Sequence, residues 1–441
     1  MTAPAQTPPD VPGTGNAYAW YVVVVLILAY TMSYVDRTIL TLMVDPIRKS
    51  LKITDVQISL LQGLAFATFY TALGIPIGRL VDRWRRVGIV TSGVMTWSVM
   101  TGLCGLSRSF GQMFLARIGV GIGEATLSPA AYSLIADYFP PASMTRALSV
   151  YTCAMYLGAG LAMIAGGSLI GAVVPTTLPL LGALDRWQLV FLWVALPGFA
   201  VALLTGTLRE PPRRKLVREG AADIMPSPAD IVRHLRGHGA AYTWLILGYA
   251  FSGLAWNGLA AWIPSYLMRG FGWTPAHVGL TFGTILLVCG TAGIVSGGAL
   301  AGRMRAAHRT DANLRVGIVS AMAALPTGLT ALLCHAPVPM VGALALFVLA
   351  AAMPYGAAAA AIQEITPSRM RGQVSALYLL VLNLAGIGLG PTLVALIGAR
   401  LSTPGPTTLG SAMAILTAVA LPASALCLWR GCRPYRTAIA T

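Results

Sequence analysis

Apolar residues run along this chain in stretches of about twenty, and polar residues are confined to the short gaps between them. A helix that crosses the hydrocarbon core of a bilayer needs about 20 such residues. Cut at charge clusters and Gly/Pro turns, the pattern predicts twelve helical spans: 18–44, 56–78, 88–107, 110–136, 143–172, 186–208, 240–268, 275–301, 313–333, 337–363, 371–399 and 405–429, numbered 1 to 12. An even number of crossings puts both chain ends on one face. Residues 1–17 are rich in Pro and Thr and predict a disordered tail. They hold no Lys or Arg, so the basic start of a cleavable signal peptide is missing and span 1 is expected to stay as an anchor. The longest gap, 209–239, carries Ser227-Pro228-Ala229-Asp230: a cap, a first-turn proline and an acid. That order predicts a short surface helix running to His238. The chain thus divides into six-helix bundles at 18–208 and 240–430, joined by this linker and followed by a C-terminal tail at 431–441.

Two loop sequences recur at half the chain length. Gly78-Arg79-Leu80-Val81-Asp82-Arg83 follows span 2, and Gly298-Ala299-Leu300-Ala301-Gly302-Arg303 follows span 8, 220 residues later. Pro141 to Arg146 leads into span 5, and Pro367 to Arg371 leads into span 11, about 225 residues later. Agreement between the two offsets predicts two halves in parallel repeat, with like loops on one face.

Composition sharpens this picture. Of 441 residues, 56% are hydrophobic and 10% charged, with mean hydropathy +0.73. Soluble domains average about 25% charged residues, so a water-soluble globule is excluded. The net charge of +16 does not indicate a nucleic-acid partner, because the basic residues are spread over several loops. Twenty-one of them follow the even-numbered spans or lie at the C-terminus, against seven in the other gaps. The positive-inside rule then places the first set and both termini in the cytoplasm of a multi-pass protein of the cell (inner) membrane. The six cysteines are scattered, with no CxxC pair, and read as small hydrophobes. His234 and His238 stand four apart without a third ligand, so no metal and no cofactor is expected.

Four ionisable residues fall within spans: Asp36 and Arg37 in span 1, Arg117 and Glu124 in span 4. A charge at membrane depth costs about 2.5–3.5 kcal/mol or more, so it faces a partner or a wet cavity. Two acids balance two bases. Asp36, Arg37 and Arg117 fall in the outer half of the membrane and Glu124 near the midplane. Such a set serves either as a buried network locking two helices together or as a binding and proton-coupling site, in which Glu124 is the strongest titrating acid. Asp36 is expected to pair with Arg117. The loop after span 2 reads as a conformational latch. Gly78 permits close helix approach, Asp82 caps a facing helix N-terminus, and Arg83 and Arg86 pair with acids such as Asp137. Gly158, Gly160, Gly166, Gly167 and Gly171 give span 5 a close-packing face. Trp256, Asn257, Tyr355, Tyr378 and Asn383 are polar groups that either line a cavity or make helix contacts.

Twelve spans in two halves and the loop Gly78-xxx-Asp82-Arg83 resemble the major facilitator superfamily, with Arg85 where its second loop glycine usually stands. Tyr34-Val35-Asp36-Arg37 together with Arg117-Ile118-Gly119-Val120-Gly121-Ile122-Gly123-Glu124-Ala125 resembles the Spinster family, and sugar-acid carriers show similar stretches. The resemblance implies an all-α fold of two six-helix bundles and proton-coupled transport of a lysophospholipid or sphingolipid. It makes Asp36 and Glu124 the coupling acids, with Arg37 and Arg117 as substrate or charge partners. The expected protein is a monomeric secondary transporter in the lipid bilayer, driven by a proton gradient. The alternative cargo is a small organic anion such as a sugar acid. An intramembrane lipid-modifying enzyme would need a nucleophile–base or metal set at membrane depth, where histidine is almost absent.

Overall fold

A computed structural model describes residues 16–178, 182–212, 228–367, 370–401 and 408–440. The expected disordered tail lies outside the described residues except for Asn16 and Ala17, which already belong to the first helix. Within the linker, residues 213–227 also lie outside them, and the helix Pro228–Gly237 follows.

Among the described residues, ten helices are long and apolar enough to cross a membrane. The other two, span 2 over 55–83 and span 4 over 110–138, are interrupted. Span 2 contains a π-helical turn, Leu60–Leu64, and a break at Leu73; span 4 breaks at Ala125 and Thr126, directly after Glu124. A second π-helical turn, Leu286–Gly290, sits in span 8, and Leu60 and Leu286 are 226 residues apart. Equal local geometry at that offset is a structural signature of the repeat. One departure from a purely helical chain occurs between spans 5 and 6, where Thr176–Leu178 pairs antiparallel with Gly182–Leu184.

Packing repeats as well. Span 1 packs on span 5, and span 3 on spans 4 and 6; span 7 packs on span 11, and span 9 on spans 10 and 12. The halves meet through spans 5 and 8 and through spans 2 and 11. A Cβ on Gly160 would lie 2.7 Å from the Gly283 carbonyl, and one on Gly63 would lie 2.3 Å from the Ile387 carbonyl. Backbone therefore touches backbone, an approach only small residues permit. Each of these residues lies in the half of its span away from the chain termini. On the terminal face the picture reverses. An added Cβ at Gly78, Gly298 or Gly302 meets nothing within 4 Å. The close helix approach expected at Gly78 is absent because the halves stand apart at that level.

The last helix, Thr408–Ala440, runs on through the segment expected to be a tail. Two anchors hold it. The Tyr435 hydroxyl donates to Glu364 at 2.5 Å, and Arg436 lies 3.8 Å from Asp311, which also accepts from Arg315 at 2.8 Å. Burial acts to raise the Asp311 carboxyl, but the Arg315 hydrogen bond and the two arginine charges outweigh it and hold it below its ordinary range. A depressed pKa means this anchor is present above the unfolded carboxylate value, about 3.9, and is lost as pH falls further. Protection of the amides over 431–440, taken relative to the intrinsic exchange rate at each pH, is therefore expected to fall as pH drops below about 4, and Asp311→Asn is expected to show that low protection at neutral pH.

The glycine contact between halves gives a second test. Gly283→Val forces spans 5 and 8 apart at the terminus-distal face and is expected to cost about 1–3 kcal/mol. Gly298→Val, which meets open space, leaves the detergent melting temperature unchanged.

Candidate functional site

Span 4 is drawn against its neighbours by its own glycines. A Cβ on Gly121 would lie 2.8 Å from the Phe66 carbonyl of span 2, and one on Gly123 would lie 2.7 Å from the Trp97 nitrogen of span 3. This brings Arg117 and Glu124, both buried, against span 1. Glu124 Oε2 accepts from Arg37 Nε at 2.5 Å and from the Ser33 hydroxyl at 2.5 Å, and Arg37 Nη2 lies 2.5 Å from the same oxygen. The other oxygen, Oε1, is buried without a hydrogen-bond partner among the described residues. The Arg37 guanidinium also lies over the rings of Phe66, Tyr70 and Tyr34, at 4.3, 5.0 and 5.2 Å.

The pairing differs from the sequence-based expectation. Arg117 does not bond the Asp36 carboxylate. It donates to two main-chain carbonyls, Leu61 at 3.3 Å and Asp36 at 3.2 Å, and so ties spans 4, 2 and 1 together. Asp36 Oδ1 is buried without a hydrogen-bond partner among the described residues. The ion pair of the site is Arg37–Glu124, because Arg37 extends into the space beside span 4 that Ser33 also faces.

A second charge cluster, absent from the sequence reading, closes the face away from the termini. Arg269 of span 7 donates to Asp45 at 2.7 and 3.0 Å and to Asp55 at 2.9 and 3.0 Å, with Arg48 3.5 Å from Asp55. Local structure aims these groups. Thr54 and Gln57 form a capping box that places Asp55 in a helix's first turn, and Arg269 stands in the last turn of span 7, which Gly272 ends at φ 66°. Acid at an N-terminus and base at a C-terminus are the pairing that helix dipoles favour. The cluster joins first half to second, and each loop charge alone carries no sequence signal of that.

The expected cavity residues separate. Tyr355 is 46% exposed, and its ring meets Tyr156 of span 5 edge-on at 6.1 Å across the boundary between the halves. Trp256 is half-buried against Tyr156 and Phe347. Asn257 donates to Gly253 of its own helix at 2.9 Å, Tyr378 is buried with an unpartnered hydroxyl, and Asn383 directly precedes the π-helical turn Leu384–Leu389.

Comparison with known proteins fits this architecture. The Major Facilitator Superfamily model matches residues 26–391. The chain belongs to the major facilitator superfamily. It is 28% identical to an MFS-type efflux pump of Mycolicibacterium smegmatis, over 96% of this chain and 94% of that protein. It is 29% identical to protein spinster homolog 1 of Xenopus laevis over 66% of this chain, and this match spans 56% of that protein's length. A crystal structure of a bacterial homolog to the human lysosomal transporter Spinster, inward-facing and unoccupied, has TM-score 0.79 and 27% identity, covering 98% of both chains. As a superfamily member the protein is a multi-pass membrane transporter of a small-molecule substrate, not an enzyme.

The superfamily loop after span 2 lies on the open face. Arg86 pairs with Asp137 and with Glu210, the latter at 2.8 Å, and also donates to Ser133 and to the Pro211 carbonyl. Asp137 and Ser133 lie on span 4, and Glu210 and Pro211 start the linker directly after span 6, so this contact braces the first bundle and the root of the linker. The second half repeats it: Asn313 donates to Glu364 at 2.9 Å, and Arg305 also pairs with Glu364. Arg83 is exposed, and the side chain of Asp82 lies outside the described residues. Asp82 as a latch stays a proposal: Asp82→Asn is expected to favour the terminally open state.

Two measurements test the charges. Arg37→Gln strands a fully buried carboxylate and is expected to cost about 3–5 kcal/mol of stability in detergent, with Arg37→Gln/Glu124→Gln together costing clearly less. Strictly additive losses mean the pair contributes nothing as a pair. Arg269→Gln leaves Asp45 and Asp55 facing each other, so labelling of a cysteine at the buried Ser59 is expected to rise several-fold, whereas Arg400→Gln leaves it unchanged.

Proposed function

We propose that this transporter is proton-coupled and carries an amphipathic, lipid-like anion of the lysophospholipid or sphingolipid type, with its terminal face in the cytoplasm. The observation that carries this reading is the Arg37–Glu124 pair, in which one carboxylate oxygen is saturated and the other bare. A proton taken up on Oε1 neutralises Glu124 and leaves Arg37 without its anion. The guanidinium fork then suits a phosphate or carboxylate, which it grips in two-point geometry. Glu124 and the substrate compete for one cation, so protonation and anion binding favour each other, which is the linkage of a symporter. Asp36 is the second acid of the site, and Arg117 keeps spans 1, 2 and 4 in register while supplying balancing charge. The cytoplasmic orientation rests on the loop asymmetry of basic residues. The likeness to an inward-facing Spinster homolog supports the open terminal face.

The test is transport into proteoliposomes with oleoyl-lysophosphatidate and gluconate as cargoes, the second standing for a sugar acid. An acidic exterior is expected to drive accumulation of the lipid. Glu124→Gln is expected to abolish the driven component, to keep substrate counterflow and to remove the pH dependence of binding. Unchanged driven uptake in that variant would exclude Glu124 as the proton carrier, and gluconate carried in place of the lipid would exclude the lipid reading.

A further inference from the structure

Arg37 marks the inner end of a line of phenol rings. Tyr34 packs edge-on against Tyr30 at 5.2 Å, Tyr30 stacks on Tyr151 at 5.0 Å, and Tyr151 meets Tyr132 at 5.7 Å. Tyr30 precedes Arg37 by seven residues on span 1, so the line runs about 10 Å from the charge towards the open face. Tyr355 of the second half joins it through Tyr156, five residues after Tyr151 on span 5, whose ring it meets edge-on at 6.1 Å. Tyr132 and Tyr355 are 43% and 46% exposed, although the ring of each also packs edge-on against a span-5 tyrosine, Tyr151 and Tyr156 respectively. Neither hydroxyl has a hydrogen-bond partner among the described residues.

An acyl chain gains less from such a wall than a ring does. It cannot stack, and it displaces water from hydroxyls while returning no hydrogen bond. A flat ring system stacks on the phenols with a gain of about two- to ten-fold in affinity per ring pair, and polar groups on its edge meet the hydroxyls. We propose that, among lipid-like anions, the cavity prefers one whose body is an aromatic ring system carrying hydroxyl or carbonyl groups over one with a plain acyl chain, held against Tyr30 and Tyr132 on one side and Tyr355 on the other. This specificity rests on the reading of Arg37 as the anion site, since it assumes that the acidic end lies there.

The experiment is calorimetric titration of the full chain in nanodiscs with hydroxynaphthoate, oleoyl-lysophosphatidate and gluconate. Hydroxynaphthoate is expected to bind, to weaken roughly ten-fold in Tyr132→Leu/Tyr355→Leu, and to weaken about three-fold in Tyr132→Phe/Tyr355→Phe, which keeps the rings and the fold. Oleoyl-lysophosphatidate is expected to bind the leucine variant as well as or better than the parent. Hydroxynaphthoate that does not bind, or that binds all three proteins alike, overturns the proposal, as does lysophosphatidate binding that falls in the leucine variant. Arg37→Gln separates the two readings. If it leaves anion affinity untouched while the leucine variant still loses hydroxynaphthoate, the anion site is refuted and the ring selectivity stands.

Discussion

A carboxylate and a guanidinium buried together inside a membrane protein constrain everything around them. Glu124 is out of contact with water, and leaving it unpaired there would cost about 3–5 kcal/mol, a large fraction of the roughly 5–15 kcal/mol by which a domain is stable. The surrounding architecture reads as the means of keeping it paired. Glycines in span 4 let three helices close to backbone contact, Ser33 adds a hydroxyl donor, and Arg117 holds the neighbouring carbonyls. The break at Ala125–Thr126 falls one residue after the acid, so the helix ends where its charge is needed.

The two faces of the molecule are closed by unequal means. Away from the termini, interhelical backbone contacts combine with Arg269 bridging two carboxylates, and its bidentate geometry lifts these pairs above the about 0–1 kcal/mol of a simple exposed one. At the terminal face the loop glycines meet nothing, and the arginine clusters brace each half internally. Reversal of the cavity thus requires one set of contacts to open while the other forms. Contacts worth a few kcal/mol are the right size for that: strong enough to define a state and weak enough to exchange.

The repeat is one of shape and not of chemistry. At the offset of 226 given by the π-helical turns, Asp36, Arg37, Arg117 and Glu124 correspond to Trp262, Ile263, Ala343 and Ala350, all buried and uncharged. The first half carries the charges. The second contributes Arg269 to the closed face and Tyr355 to the cavity.

Hydrophobic run length made the membrane class and the span count legible, because a bilayer imposes the same requirement on every crossing. Repeated loops exposed the two halves, and charges at membrane depth exposed Asp36, Arg37, Arg117 and Glu124, since an ion in an apolar helix has few reasons to be there. The sequence could not say which acid meets which base. Helical spacing placed Arg117 and Glu124 on one side of span 4, but the partner depends on how far each side chain reaches across a gap set by glycine contacts with other spans. Arg117 therefore went to main-chain carbonyls, and Arg37 took the acid. Asp45, Asp55 and Arg269 were silent for the same reason, being ordinary loop charges until folding brings residues 214 and 224 positions apart into contact. Composition and periodicity act along the chain and are written in it; pairing across helices depends on distances that only the packed bundles define.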